Sequence, residues 1–137
     1  MSKKLAREAA MCLLYEKEIT GEPSGTQTLL EMKDVLKSDC FNDEENAYIN
    51  AIVEKYEENS VTIDSIIQKY NKDGWELSRI SRVDISILRL AIIEIYYFDD
   101  IPYKVTANEA VELAKKYSAE KSPSYINGVI ASVIKDL

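Results

Sequence analysis

Apolar residues recur along this chain at the three-and-four spacing of amphipathic helices. From Lys3 to Ile19, the residues Leu5, Ala6, Ala9, Ala10, Cys12 and Leu13 fall on one side, with Lys3, Lys4, Arg7 and Glu18 on the other. The segment TGEPSG ends that helix. A second helix is expected from Thr28, whose spacing to Glu31 fits a capping box, with Leu29, Met32, Val35 and Leu36 inward and a stop at Ser38 to Asp39. Asn42 and Glu45 repeat the cap pattern ahead of a third, with Ile49, Ile52, Val53 and Tyr56. A further start at Ser60 or Thr62 opens the stripe Ile63, Ile66, Ile67 and Tyr70, which stops at Asn71 to Gly74.

The stretch ISRVDISILRLAIIEIYYFDDI, Ile80 to Ile101, breaks this amphipathic rule. Its first turns carry a polar stripe of Arg82, Ser86 and Arg89, which Ile93, Tyr96 and Tyr97 then close. A helix that becomes apolar all round belongs among other helices, so this is the expected core post. Arg82, Asp84, Arg89 and Glu94 exclude a membrane span, since each central charge would cost about 2.5 to 3.5 kcal/mol to insert. Trp75 and Leu77 are expected to pack a short turn ahead of it, and Ser81 and Asp84 form its cap pair. Thr106 and Glu109 read as the cap of the next helix, with Ala110, Leu113, Ala114 and Tyr117 inward and Glu112 set to pair with Lys116. Ser122 and Pro123 read as N-cap and N1 of the last, with Ile126, Val129, Ile130, Val133 and Ile134 inward. Gly128 falls inside that helix at about 1 kcal/mol relative to Ala, as if something needed the space.

Composition fits a single soluble, all-α unit: 137 residues, 46% apolar, with only four Gly and three Pro. The absence of His removes the commonest general base and metal ligand, and no phosphate-loop, dinucleotide or serine-hydrolase motif occurs. No cofactor and no enzymatic activity are expected. Cys12 and Cys40, without a CxxC partner, read as packing thiols of a cytoplasmic protein. A net charge of −7 argues against coating nucleic acid nonspecifically. The balance is uneven, however: residues 1–59 hold 7 basic and 13 acidic side chains, and residues 60–137 hold 10 and 11. A local basic patch remains open.

Two features carry candidate chemistry. Lys3, Lys4 and Arg7 share a face at a helix N-terminus, where cations oppose the macrodipole by about 0.3 to 1 kcal/mol each. They read either as a solvated face or as a phosphate-contacting patch. AEKSPSYINGV, Ala119 to Val129, joins Lys121, a helix start, Tyr125 and Asn127. Free N–H groups at Ser124 and Tyr125 suit a phosphate, Tyr125 suits a stacked base and Asn127 a base edge; an ordinary capped helix reads equally well.

ILRLAIIEI (Ile87 to Ile95), DIPYKVTANEAVELAKKYSAEKSPSYINGVI (Asp100 to Ile130) and AREAAMCLLYEKEI (Ala6 to Ile19) closely resemble the signature of the NusB family of bacterial transcription antitermination factors. The match is weakest over Thr20 to Trp75. The resemblance implies an all-α fold of about seven helices in two small packed bundles, 1–59 and 60–137. It implies a non-enzymatic role: binding boxA RNA of ribosomal RNA leaders with the NusE ribosomal protein, within the RNA polymerase antitermination complex. Carried onto this chain, the RNA surface would combine Lys3, Lys4, Arg7, Lys121, Ser122, Tyr125 and Asn127, and the protein-partner surface Tyr15 and Asp84. Arg89 could line the RNA site or form a buried ion pair, and its apolar neighbours favour the pair. Two departures stand out: KKLAR is poorer in arginine than the first helix of many relatives, and Lys121 stands where relatives often carry an acid. A homodimer that hides the RNA surface is compatible with the family, and the alternative function is a helical protein-interaction module without specific RNA binding.

Overall fold

Every residue from Asp84 to Ile95 is buried, so the all-round apolar stretch does form the centre of the molecule. The computed structural model describes residues 4–20, 41–71 and 76–137. Over these it is helical, with no strand among the described residues: α1 Lys4–Thr20, α2 Asp43–Tyr70, a 3-10 turn Leu77–Arg79, α3 Arg82–Tyr97, α4 Tyr103–Tyr117 and α5 Ser122–Lys135. Helix α3 packs against each of the other four, while α1 rests on α2 and α4 on α5. Ile87, Leu88, Ile92 and Ile93 are wholly buried. Each contributes about 1.5 to 3 kcal/mol by burial, and Leu88→Ala would cost about 2 to 5 kcal/mol.

Among the described residues five helices stand where about seven were expected for the whole chain, for two reasons. The helix expected from Thr28 lies outside the described residues, as do Lys3, Cys40 and Trp75. The two expected on either side of Asn59 are one helix with a kink: Asn59 alone leaves helical geometry (φ −130°, ψ 25°). Its side-chain amide donates to the Lys55 carbonyl (3.0 Å), a local bond that competes with the backbone ladder and bends the helix without ending it. The start of α2 is as expected. Glu45 N–H donates to the Asn42 side chain (2.8 Å) and Asn42 N–H to the Glu45 carboxylate (3.0 Å), a complete capping box.

Three helix starts depart from the expected caps. In α3, Ser81 does accept from Asp84 N–H (3.1 Å), but the Asp84 carboxylate turns to other partners. Helix α4 begins at Tyr103 with Pro102 as its N-cap, so Thr106 lies inside the helix, where its hydroxyl donates to Glu94 (2.8 Å). Helix α5 begins at Ser122 itself, with Lys121 as N-cap in helical geometry and no side-chain cap bond. Its buried stripe, Ile126, Val129, Ile130 and Val133, is the expected one. An added Cβ at exposed Gly128 would meet nothing within 4 Å, so among the described residues no neighbour requires the glycine.

Buried charges fasten α1 to α3. Arg7 is 5% exposed and makes a two-pronged contact with Glu94, Nε to Oε2 at 2.7 Å and Nη2 to Oε1 at 3.2 Å. Tyr48 and Thr106 hydroxyls complete the carboxylate's shell. Burial pulls the Arg7 pKa down, and the bonds and charge of Glu94 more than offset this, leaving it above its ordinary value. One turn nearer the start of α3, Arg89 holds Asp64 with two bonds (2.9 and 3.0 Å) and Glu18 with a third (2.7 Å), and lies over the Tyr56 ring (4.7 Å). Arg89 therefore takes the structural role. Arg82, mostly exposed, reaches the same Glu18 at 3.6 Å.

Candidate nucleic-acid interface

The starts of α3 and α5 meet at a small concavity of about 250 Å³ lined by Arg79, Ile80, Ser81, Asp84, Lys121, Ser122 and Tyr125. Its floor is built from the two helix starts themselves. Ser118 and Ser122 hydroxyls each donate to the buried Asp84 carboxylate (2.5 and 2.9 Å), which ties the α4–α5 connection to the first turn of α3. This is why Ser122 does not cap its own helix. Tyr125, half-buried, donates its hydroxyl to Asn71 at the end of α2 (2.7 Å). Burial, with a smaller contribution from the Asp84 charge, pushes the Tyr125 pKa up to about 12, so the ring stays neutral at physiological pH.

The rim is cationic. Arg79, in the 3-10 turn, and Lys121 are both exposed. Against them stands Asp84, buried and already bonded by two hydroxyls. A groove with two exposed cations, an anchored aromatic ring and hydroxyl groups suits a phosphate chain carrying an unstacked base. The helix start itself offers less than expected, since Tyr125 N–H is already donated to Lys121 O (3.3 Å).

The residues of the first helix lie elsewhere. Exposed Lys4 lines a second concavity, about 330 Å³, with Glu8, Glu109, Glu112, Leu113, Lys115 and Lys116. Its three lysines face three glutamates; Lys116 pairs with the buried Glu8, and Lys115 with Glu112 at 3.4 Å. Glu112 was expected to pair with Lys116, which Glu8 takes instead. Arg7 is neither on a solvated face nor open to a ligand, because Glu94 holds it in the interior. Asn127 is exposed one turn beyond Ser124 on α5, and Tyr15 is 38% exposed on α1, whereas Asp84 is buried. Of the sequence-predicted site residues, Lys121, Ser122, Tyr125 and Asp84 thus come together, while Lys4, Arg7, Tyr15 and Asn127 do not line that groove. Arg79 was not anticipated: in LSRI it carries no motif, and only the approach of α5 to the 3-10 turn makes it part of the site.

The model of the NusB family matches residues 4–135. The transcription antitermination protein NusB of Acetivibrio thermocellus is 44% identical over 135 residues, covering 98% of this chain and 90% of that protein. The solved structure of T. maritima NusB superposes with a TM-score of 0.85 at 30% identity, over 99% of this chain and 92% of that one. A chain from the crystal structure of antitermination factors NusB and NusE in complex with dsRNA superposes with a TM-score of 0.82 at 26% identity, over 98% and 96%. With one family model spanning nearly all of its length and homologous NusB chains sharing its fold, this chain belongs to the NusB family.

Proposed function

We propose that this chain is a non-enzymatic, cytoplasmic transcription antitermination factor that binds boxA-type RNA of ribosomal RNA leaders together with the NusE ribosomal protein, within the RNA polymerase antitermination complex. The observation that carries this reading is the groove that gathers Lys121, Ser122 and Tyr125 at one cationic rim. A chain of the NusB and NusE complex with dsRNA, to which this chain is similar in fold and sequence, supports RNA and NusE as partners and leaves the choice between paired and unpaired RNA to the test below. Lys121 supplies phosphate contact, Tyr125 a stacking face worth about 1 to 3 kcal/mol per base, and Asn127 a polar contact one turn on. Lys3 and Lys4 add phosphate contacts, and Arg7 serves by fixing α1 on α3 rather than by touching RNA. Tyr15 contributes to the NusE surface, while Asp84 shapes the groove between the two. A division into two small bundles, 1–59 and 60–137, belongs to the same reading, and the kink of α2 at Asn59 supports it.

The reading is tested by fluorescence anisotropy of labelled boxA RNA at fixed salt, with and without the NusE-type protein. Tighter binding of boxA than of a scrambled RNA, strengthened by the partner, is the expected result. Equal affinity for both RNAs in either condition refutes it and favours a protein-interaction module without specific RNA binding. Size-exclusion chromatography with light scattering shows whether a homodimer competes with RNA.

A further inference from the structure

We propose that the groove between the 3-10 turn and α5 is a pocket for a single unpaired nucleotide, in which Arg79 closes over the nucleotide opposite Tyr125 and Lys121. This rests on the RNA-binding reading and adds to it a residue and a stoichiometry. Arg79 and Tyr125 line the same concavity from different elements, the 3-10 turn and the second turn of α5, so a group entering it lies between them. The volume, about 250 Å³, falls below that of a drug-sized ligand site and is on the scale of one base.

Each wall is held by contacts that leave its binding chemistry available. The Tyr125 hydroxyl is fixed on Asn71, which immobilises the ring as a platform without using its face. Arg79 is exposed and makes no ion pair among the described residues, and its position is set by its backbone N–H donating to Glu76 O (2.9 Å). In contrast, Arg7 and Arg89 are buried in carboxylate pairs. A planar guanidinium both stacks on a base and contacts a phosphate with several donors, whereas the Lys121 ammonium acts as a point charge. The apolar part of the lining, from Ile80, suits the face or edge of a base rather than a free inorganic anion. Asp84 lies beneath, its charge directed to Ser118 and Ser122, so it repels a phosphate less than an open carboxylate would.

The test is a salt series of anisotropy titrations of boxA RNA, with the NusE-type protein at a saturating concentration, on wild type, Arg79→Ala and Arg79→Lys. Arg79 is exposed, and circular dichroism of each variant verifies that the helices are intact. Arg79→Ala is expected to weaken binding about tenfold and to reduce the slope of log Kobs against log salt by about 0.7, the loss of one phosphate contact to a single strand. Arg79→Lys should restore the slope but only part of the affinity. A pre-annealed duplex of the same sequence, which offers no unpaired base, should compete at least about tenfold less well. Wild-type affinity and slope in Arg79→Ala, while the wild type still prefers boxA over scrambled RNA, overturn this inference alone. Equal competition by the duplex overturns the single-nucleotide pocket, and a wild type without preference for boxA removes the reading beneath it.

Discussion

Replacing Glu94 with glutamine changes no shape and removes one charge, which isolates what the buried pair with Arg7 contributes. Glu94 is 1% exposed and accepts four bonds: Arg7 Nε (2.7 Å) and the Tyr48 hydroxyl on Oε2, Arg7 Nη2 (3.2 Å) and Thr106 (2.8 Å) on Oε1. A glutamine amide nitrogen cannot accept. Its least costly orientation replaces Oε1, where the Thr106 hydroxyl can turn to accept, and the longer Arg7 bond is lost. The larger loss is electrostatic, since a guanidinium that is 5% exposed is left without its counter-charge. Removing one partner of a buried pair costs about 3 to 5 kcal/mol, and retention of one strong Arg7 bond places Glu94→Gln near 3 kcal/mol. Against a typical domain stability of about 5 to 15 kcal/mol this leaves a folded but fragile protein. Urea unfolding followed by circular dichroism at pH 7 should show the midpoint falling with the slope unchanged. A loss below about 1 kcal/mol would refute the reasoning, because it would mean that water or another acceptor reaches Arg7.

Three further outcomes follow from particular contacts. Arg89→Lys should destabilise by about 1 to 3 kcal/mol in the same assay, because one ammonium cannot replace two bonds to Asp64 and one to Glu18; an unchanged midpoint would mean the pairs are dispensable. Gly128→Ala should raise the unfolding free energy by up to about 1 kcal/mol, seen as a higher midpoint, since the added methyl meets no atom of the described residues within 4 Å and the helix interior prefers Ala. Cys12 is half-buried, and burial together with the Glu8 charge raises its thiol pKa to about 11 from 9.0. The folded state therefore favours the neutral thiol, and the stability this contributes is fully present below pH 9 and is lost as pH rises from 9 towards 11. In a Cys40→Ser background, alkylation at pH 8 should be at least about tenfold slower in the native protein than in urea; equal rates would contradict the burial of Cys12.

The centre of the fold was legible because twelve residues of α3 carry their own evidence: a helix apolar on all faces has nowhere to go but inward. The same sequence contained a signal for Arg7 that charge alone obscured. Arg7 stands at i, i+3, i+4 and i+7 with Ala10, Met11 and Leu14, all buried, and so lies on the inward stripe of α1, whereas Leu5, assigned to that stripe, is 39% exposed. Glu94 was equally readable as a charge in an apolar helix in need of a partner, but which residue answers it depends on how α1 lies on α3. Caps were legible only where the side chain had no better partner. Asn42 and Glu45 bond each other, whereas Ser122 and Thr106 are drawn to carboxylates of α3 that are distant in sequence. Likewise the groove's Lys121, Ser122 and Tyr125 are close along the chain, and Arg79 joins them only through the packing of α5 beside the 3-10 turn.

The claim that the α3–α5 groove is the RNA surface is tested most directly by amide chemical-shift mapping of the isotope-labelled chain, with the NusE-type protein bound, on addition of boxA RNA. The account predicts that the largest shifts cluster at residues 79–84 and 118–127, with smaller ones near Lys4. Shifts confined to the balanced concavity of Glu109, Glu112, Lys115 and Lys116, with residues 79–84 and 121–125 unmoved, would contradict it.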